Sequence, residues 1–199
     1  WSSDVCSSDL IEMSAEPQDV ELVKPEAKYE PTKVRQGEQE TPLPLWKNHL
    51  LCDERGDYPA ELNDWERTVV ETESKRQGFR FWYRNPQQPG QSSLGIAYLV
   101  GGQHKIMRPD FIFFAEHDGQ VVADIVDPHG LHLADALPKL QGLALYAETH
   151  ADAYRRIESV AAAGGRLRVL DLTNAEVRKA IAAGKEAASL FSNSLASDY

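Results

Sequence analysis

Residues 105–130 read KIMRPDFIFFAEHDGQVVADIVDPHG. Two strand-like apolar runs, IMRPDFIFFAE and VVADIV, are joined by a His-Asp-Gly turn at 117–119. An Asp-Gly pair between two such runs signals a β-hairpin. Both runs carry acids where a buried strand would favour apolar residues: Asp110 in the first, Asp124 in the second, and Asp127 just after it. Neighbouring carboxylates in a sheet repel and resist desolvation. A bound divalent cation or a solvent-open edge relieves that cost, and strand parity indicates where. Alternate residues share a face, so Asp127 and His129 lie on one side, with Val122, Asp124 and Val126 on the other. Asp110 follows Pro109, which limits ladder pairing, and belongs at the same sheet edge as Asp127 and His129. Oxygen ligands of this kind can hold Mg²⁺ and orient a water for attack on phosphorus. Should Asp127 belong to the turn instead, Asp124 becomes the second ligand.

The flanking sequence frames this hairpin in an α/β chain. A helix is expected over 61–78, capped by Asn63 or Asp64 and stopped by Gly78. Strands follow at 79–85 and 94–100, separated by the loop 85–93. The 3.6-residue apolar period predicts a helix over 131–150, and a further helix is expected over 151–163. A strand at 166–172 and a helix over 175–191, capped by Thr173 or Asn174, complete the series. Strand, helix and parallel return make a crossover, so the sheet should be mixed and flanked by helices.

Domain organisation follows from composition. Residues 1–10, WSSDVCSSDL, lack periodicity and read as a non-native, adapter-like segment, so the chain is expected to be the C-terminal piece of a longer protein. Residues 11–44 are rich in Glu, Gln, Lys and Pro and are expected to be a disordered linker. The folded α/β domain is expected over 45–199. Two cysteines, Cys6 and Cys52, make neither a disulfide framework nor a metal motif, which points to a reducing, cytoplasmic setting. No apolar run is long enough for a membrane span. The net charge of −10 argues against a stand-alone nucleic-acid binder, though not against a module gripping DNA with help from elsewhere. No phosphate-binding glycine loop is present.

The phrases LNDWE at 62–66, WYRNP at 82–86, GIAY at 95–98, PDFIFF at 109–114, and DIVDPHG with DALPKLQGLALYA behind it together carry a resemblance. They look like the PD-(D/E)xK nuclease superfamily, and residues 45–185 more narrowly resemble the C-terminal nuclease region of type III restriction enzyme Res subunits and related DEAD/DEAH-box helicases. The resemblance implies a restriction-endonuclease-like core and a Mg²⁺- or Mn²⁺-dependent DNA endonuclease. It also implies DNA as substrate, an upstream helicase or ATPase region of the same parent protein, and a modification methyltransferase subunit as a further partner. Asp110 and Asp127 would hold the metal. His129 stands where the family places lysine, and Lys139, on the following helix, could supply a displaced ammonium. Glu66, on the first helix, corresponds to a further metal-linked acid. The missing lysine leaves open an alternative, a catalytically degenerate nuclease fold with a structural or DNA-positioning role.

Overall fold

The Asp118-Gly119 turn closes with both residues at positive φ, 50° and 76°, the geometry a two-residue hairpin needs to follow strand twist. The computed structural model containing it describes residues 31–199. The expectations for residues 1–10 and for the 11–30 part of the linker lie outside the described residues. Strand structure starts before residue 45: β1 (Lys33–Gln36) and β2 (Gln39–Pro42) pair antiparallel. A second small pair, β3 (Leu45–Lys47) with β4 (Asp57–Pro59), follows.

Helix α1 (Asp64–Glu73) begins at Asn63, whose side chain accepts the N–H groups of Trp65 and Glu66, each at 2.9 Å. The Glu66 carboxylate returns to the Asn63 N–H at 2.8 Å, completing a reciprocal cap. Next come β5 (Phe79–Arg84), the short strands β6 (Ile96–Val100) and β7 (Gln103–Met107), and the acid-bearing hairpin β8 (Phe111–His117) and β9 (Gln120–Pro128). Helix α2 (Ala136–Thr149) leads to β10 (Arg156–Ala163) and β11 (Arg166–Asp171). Helices α3 (Ala175–Ala183) and α4 (Ala187–Phe191) and the edge strand β12 (Ser197–Asp198) close the chain.

The main sheet has six strands in the order β12-β11-β10-β9-β8-β5. Only β9 and β10 pair in parallel, joined by the α2 crossover; the remaining neighbours are antiparallel. The protein is therefore a mixed α/β fold with a central mixed sheet flanked by helices. On one face, Val69 and Val70 of α1 pack on Trp82, Phe111, Phe113, Val126 and Val160. On the other, α2, α3 and α4 cover Ile125, Ile157, Ala161 and Leu170. Burying these faces is the main favourable contribution to folding. Among the described residues, no helix is long and apolar enough to cross a membrane.

Three expected elements differ. Residues 151–163 are not a helix: 156–163 form β10, the parallel return. Its alanines favour helix locally, but an inner strand buried on both faces also reads as a continuous apolar run. Residues 175–191 split at Gly184 into α3 and α4. The stretch 105–116 is likewise not continuous. It breaks at Arg108-Pro109-Asp110, so β7 leaves the main sheet and pairs with β6 alone. That separate hairpin lies on α2, where a Cβ at Gly142 would come within 2.5 Å of the Tyr98 Cβ. Glycine is what lets the two backbones approach so closely.

Candidate functional site

Pro109 has no N–H to donate, so the ladder of β8 starts at Phe111, opposite Val126. Asp110 is thereby left beside Asp127, and its backbone N–H donates to Asp127 Oδ1 at 3.1 Å. Asn85, buried at the end of β5, fixes this break. Its N–H donates to the Asp110 carbonyl at 2.8 Å and its Nδ2 to the Pro109 and Leu94 carbonyls at 2.8 and 2.9 Å. Its Oδ1 accepts the Leu94 N–H at 2.8 Å. Asn85→Ala leaves these buried partners of the side chain unmet, at roughly 1–3 kcal/mol for each group that water cannot reach. The expected result is a drop of about 3 kcal/mol in unfolding free energy, read from urea titration. An unchanged midpoint would show that Asn85 does not clamp the loop.

Asp110 and Asp127 open into a cavity of about 330 Å³ whose lining includes Gln87, Arg108, His129, Gly130 and Lys139. Gln87 Nε2 donates to Asp110 Oδ1 at 3.0 Å. Burial, then the charge of Glu66, pushes Asp110 up to about 6, against the opposing pull of Arg84 and Lys139. Burial, then the Asp110 charge, holds Asp127 well above the carboxylate range; the Asp110 N–H and Lys139 act the other way. The two groups titrate as a pair. Lys139 Nζ sits 3.1 Å from Asp135 Oδ2, and the same oxygen accepts the Tyr98 hydroxyl at 3.0 Å.

His129 lies beyond the end of β9, with its N–H donating to the Val160 carbonyl at 2.6 Å. Its Nδ1 is 3.7 Å from Asp127 Oδ2, too far for a hydrogen bond, and its buried Nε2 has no partner. Burial, then the Lys139 charge, lowers its pKa, against the opposing pull of the Ala136 backbone and the Asp135 charge.

The structure thus brings Asp110, Asp127, His129 and Lys139 to one cavity. Glu66 is placed differently. One oxygen completes the α1 cap and the other accepts Arg84 Nη2 at 3.0 Å, so it influences Asp110 through its charge. Asp124 is on the opposite face, as parity indicates, bound by Arg155 and by Arg156. Among the described residues, no three His, Cys, Asp or Glu side chains converge as a metal cage. Sequence reasoning missed Asn85 and Gln87, which it placed in the 85–93 loop, and Arg108, which it placed inside the first strand-like run. It also missed His49, whose ring stacks on Tyr58 at 3.4 Å and whose Nε2 accepts the Arg84 N–H at 3.0 Å. The Asn-Pro step closing an aromatic strand was the available signal for Asn85.

With this cavity on a helix-flanked mixed sheet defined, comparison places the chain among known proteins. The chain belongs to the YagJ family, whose match spans residues 47–199. It is 66% identical over 190 residues to Protein YagJ of Escherichia coli (strain K12), covering 96% of this chain and 78% of that protein. No solved structure matches it. The expected membership among type III restriction Res subunits and helicase nuclease regions is corrected by these matches. Phrases such as PDFIFF and DALPKLQGLALYA correspond to a broken strand and a crossover helix, features that report local folding rather than lineage.

Proposed function

We propose that this cavity is a divalent-cation-dependent phosphodiesterase site on a restriction-endonuclease-like core, with DNA as substrate. The order α1-β5-β8-β9-α2-β10, with β9 parallel to β10, supports that core. The observation carrying the chemistry is the Asp110–Asp127 pair, a half-buried carboxylate whose charge raises the cost of ionising the buried one beside it. The donor set fits Mg²⁺ or Mn²⁺: hard cations take oxygen ligands, and Mg²⁺ commonly uses one or two carboxylates and fills the rest with water and substrate oxygens. Such an ion, when bound, supplies Lewis acidity toward a phosphoryl oxygen and a more acidic water.

The chain's own groups have distinct tasks in this reading. Asp110 and Asp127 hold the cation, and Gln87 fixes the orientation of Asp110. Lys139, tethered by Asp135, presents positive charge toward the anionic phosphate. His129, whose Nε2 has no hydrogen-bond partner among the described residues, is the group of the lining that would accept a proton. The helicase and methyltransferase partners rested on the corrected resemblance alone and form no part of this reading.

A second reading, a catalytically degenerate fold with a DNA-positioning or structural role, is favoured by the locked position of Glu66, which leaves no third carboxylate for the pair among the described residues. Incubation of labelled DNA with the purified protein and Mg²⁺ or Mn²⁺ separates the two. The hydrolase reading expects cleavage that EDTA stops and that Asp127→Asn reduces to the no-enzyme background. Absence of cleavage by the wild type with either cation would decide for the second.

A further inference from the structure

Arg108 lines the cavity but has no carboxylate partner within ion-pair distance among the described residues. This sets it apart from Lys139, the other cation of the cavity lining, which pairs with Asp135. Arg84 is paired with Glu66, Arg80 with Glu116, and Lys139 with Asp135. Arg108 is nevertheless held in place. Its Nε donates to Ser93 Oγ at 3.0 Å, and that hydroxyl donates to the Pro86 carbonyl at 2.7 Å. The guanidinium is therefore braced on one edge by the 85–95 loop, while its terminal nitrogens meet no hydrogen-bond partner among the described residues. Gly95 makes room for the arrangement: a Cβ there would lie 2.9 Å from Ile106 Cγ2 and 3.8 Å from Arg108 Nη2.

A braced guanidinium has lost much of its freedom before any ligand arrives, so less is lost on binding. Its fork matches two oxygens of a phosphate. Beside it, Ile106 and Leu133 are 51% and 45% exposed, and both line the cavity. They offer an apolar surface to a sugar or base. We propose that Arg108 is a phosphate anchor, binding a phosphodiester of the nucleic-acid strand next to the one presented to Asp110 and Asp127. This rests on the hydrolase reading for the position of the scissile phosphate, but binding can be measured without cleavage.

The test uses the full chain carrying Asp110→Asn, so that cleavage plays no part, and a fluorescein-labelled single-stranded 12-nucleotide DNA followed by anisotropy. Adding Arg108→Ala is expected to weaken binding about tenfold. It should also flatten the salt dependence by about 0.7 in slope, one phosphate contact on a single strand. Arg108→Lys, which keeps the charge without the fork, should recover part of the affinity, while melting temperatures confirm that each variant is folded. Equal affinity and slope with and without Arg108→Ala overturns the proposal, as does absence of DNA binding. Failure of the two readings is distinguishable. Arg108-dependent binding by a protein that never cleaves keeps the anchor and removes the hydrolase. Cleavage whose KM ignores Arg108→Ala removes the anchor and keeps the hydrolase.

Discussion

Arg156→Met is expected to cost about 4 kcal/mol of unfolding free energy at pH 7.5, a large part of the roughly 5–15 kcal/mol that a domain possesses. Arg156 lies between three carboxylates on the α1 face of the sheet. Its Nη2 is 2.6 Å from Glu73 Oε2 and 2.8 Å from Asp124 Oδ2, and its Nη1 is 3.0 Å from Glu158 Oε2. All three acids are buried. Asp124 would keep Arg155, and Glu73 would keep Arg76 and the Tyr199 hydroxyl at 2.7 and 2.9 Å. Arg156 is the only cation paired with Glu158 among the described residues. Burial already holds the Glu158 carboxyl above its ordinary 4.5, with Arg156 pulling it back down. Without Arg156 it rises further. A raised folded-state pKa means that the folded protein binds more protons than the unfolded chain above pH 4.5, and that stability falls as pH rises through that window. The deficit of Arg156→Met should therefore be larger at pH 7.5 than at pH 5, and Glu158→Gln added to it should restore part of the loss. Urea titrations at both pH values provide the measurement; an equal deficit at both would remove Glu158 from the explanation.

Asp110→Asn is expected to act in the opposite direction. Asp110 ionises at about 6 in the folded protein against an ordinary 3.8. The folded state thus holds a proton that the unfolded chain has released between those values, and the site loses stability as pH rises from about 4 to 6. At pH 7.5 that loss is complete. Asparagine keeps the acceptor for Gln87 and removes the charge facing Asp127, so the variant should be about 2 kcal/mol more stable than wild type, with the advantage gone below pH 4. Millimolar Mg²⁺ or Mn²⁺ should raise the melting temperature of the wild type and leave that of Asp110→Asn unmoved. A variant that melts no higher than wild type at pH 7.5 would show that burial and Glu66 do not hold Asp110 above its ordinary value.

The sequence made the hairpin legible because its determinants are local. Asp118-Gly119 dictates the turn, and two-residue periodicity then separates Asp127 from Asp124. Asn63 was likewise readable as a cap for α1. What escaped depended on partners distant in the chain. Arg156–Ala163 reads as helix until β9 and β11 pair along its two edges and helices cover its two faces. Pro109 announces an interruption, but not that β7 departs for a sheet of its own. Asn85, in an apparently irregular stretch, is tied to Pro109 across 24 positions. Arg108 becomes notable only because no acid reaches it, which depends on where every other chain segment lies. The lineage was misread for a related reason: short phrases report local turns, strands and helices, which do not identify a family.

The hairpin of β6 and β7 shares no ladder with the main sheet and rests on α2 by the contact of Tyr98 with Gly142. Its outer edge carries Ile106 and leads directly into Arg108, whereas Asp127 is rooted in β9. The apolar residue at the mouth of the cavity and the buried acid at its floor thus stand on separate sheets. A descendant could shorten, lengthen or exchange residues 96–107 as a cassette while inheriting the same main sheet and the Asp127 rooted in it.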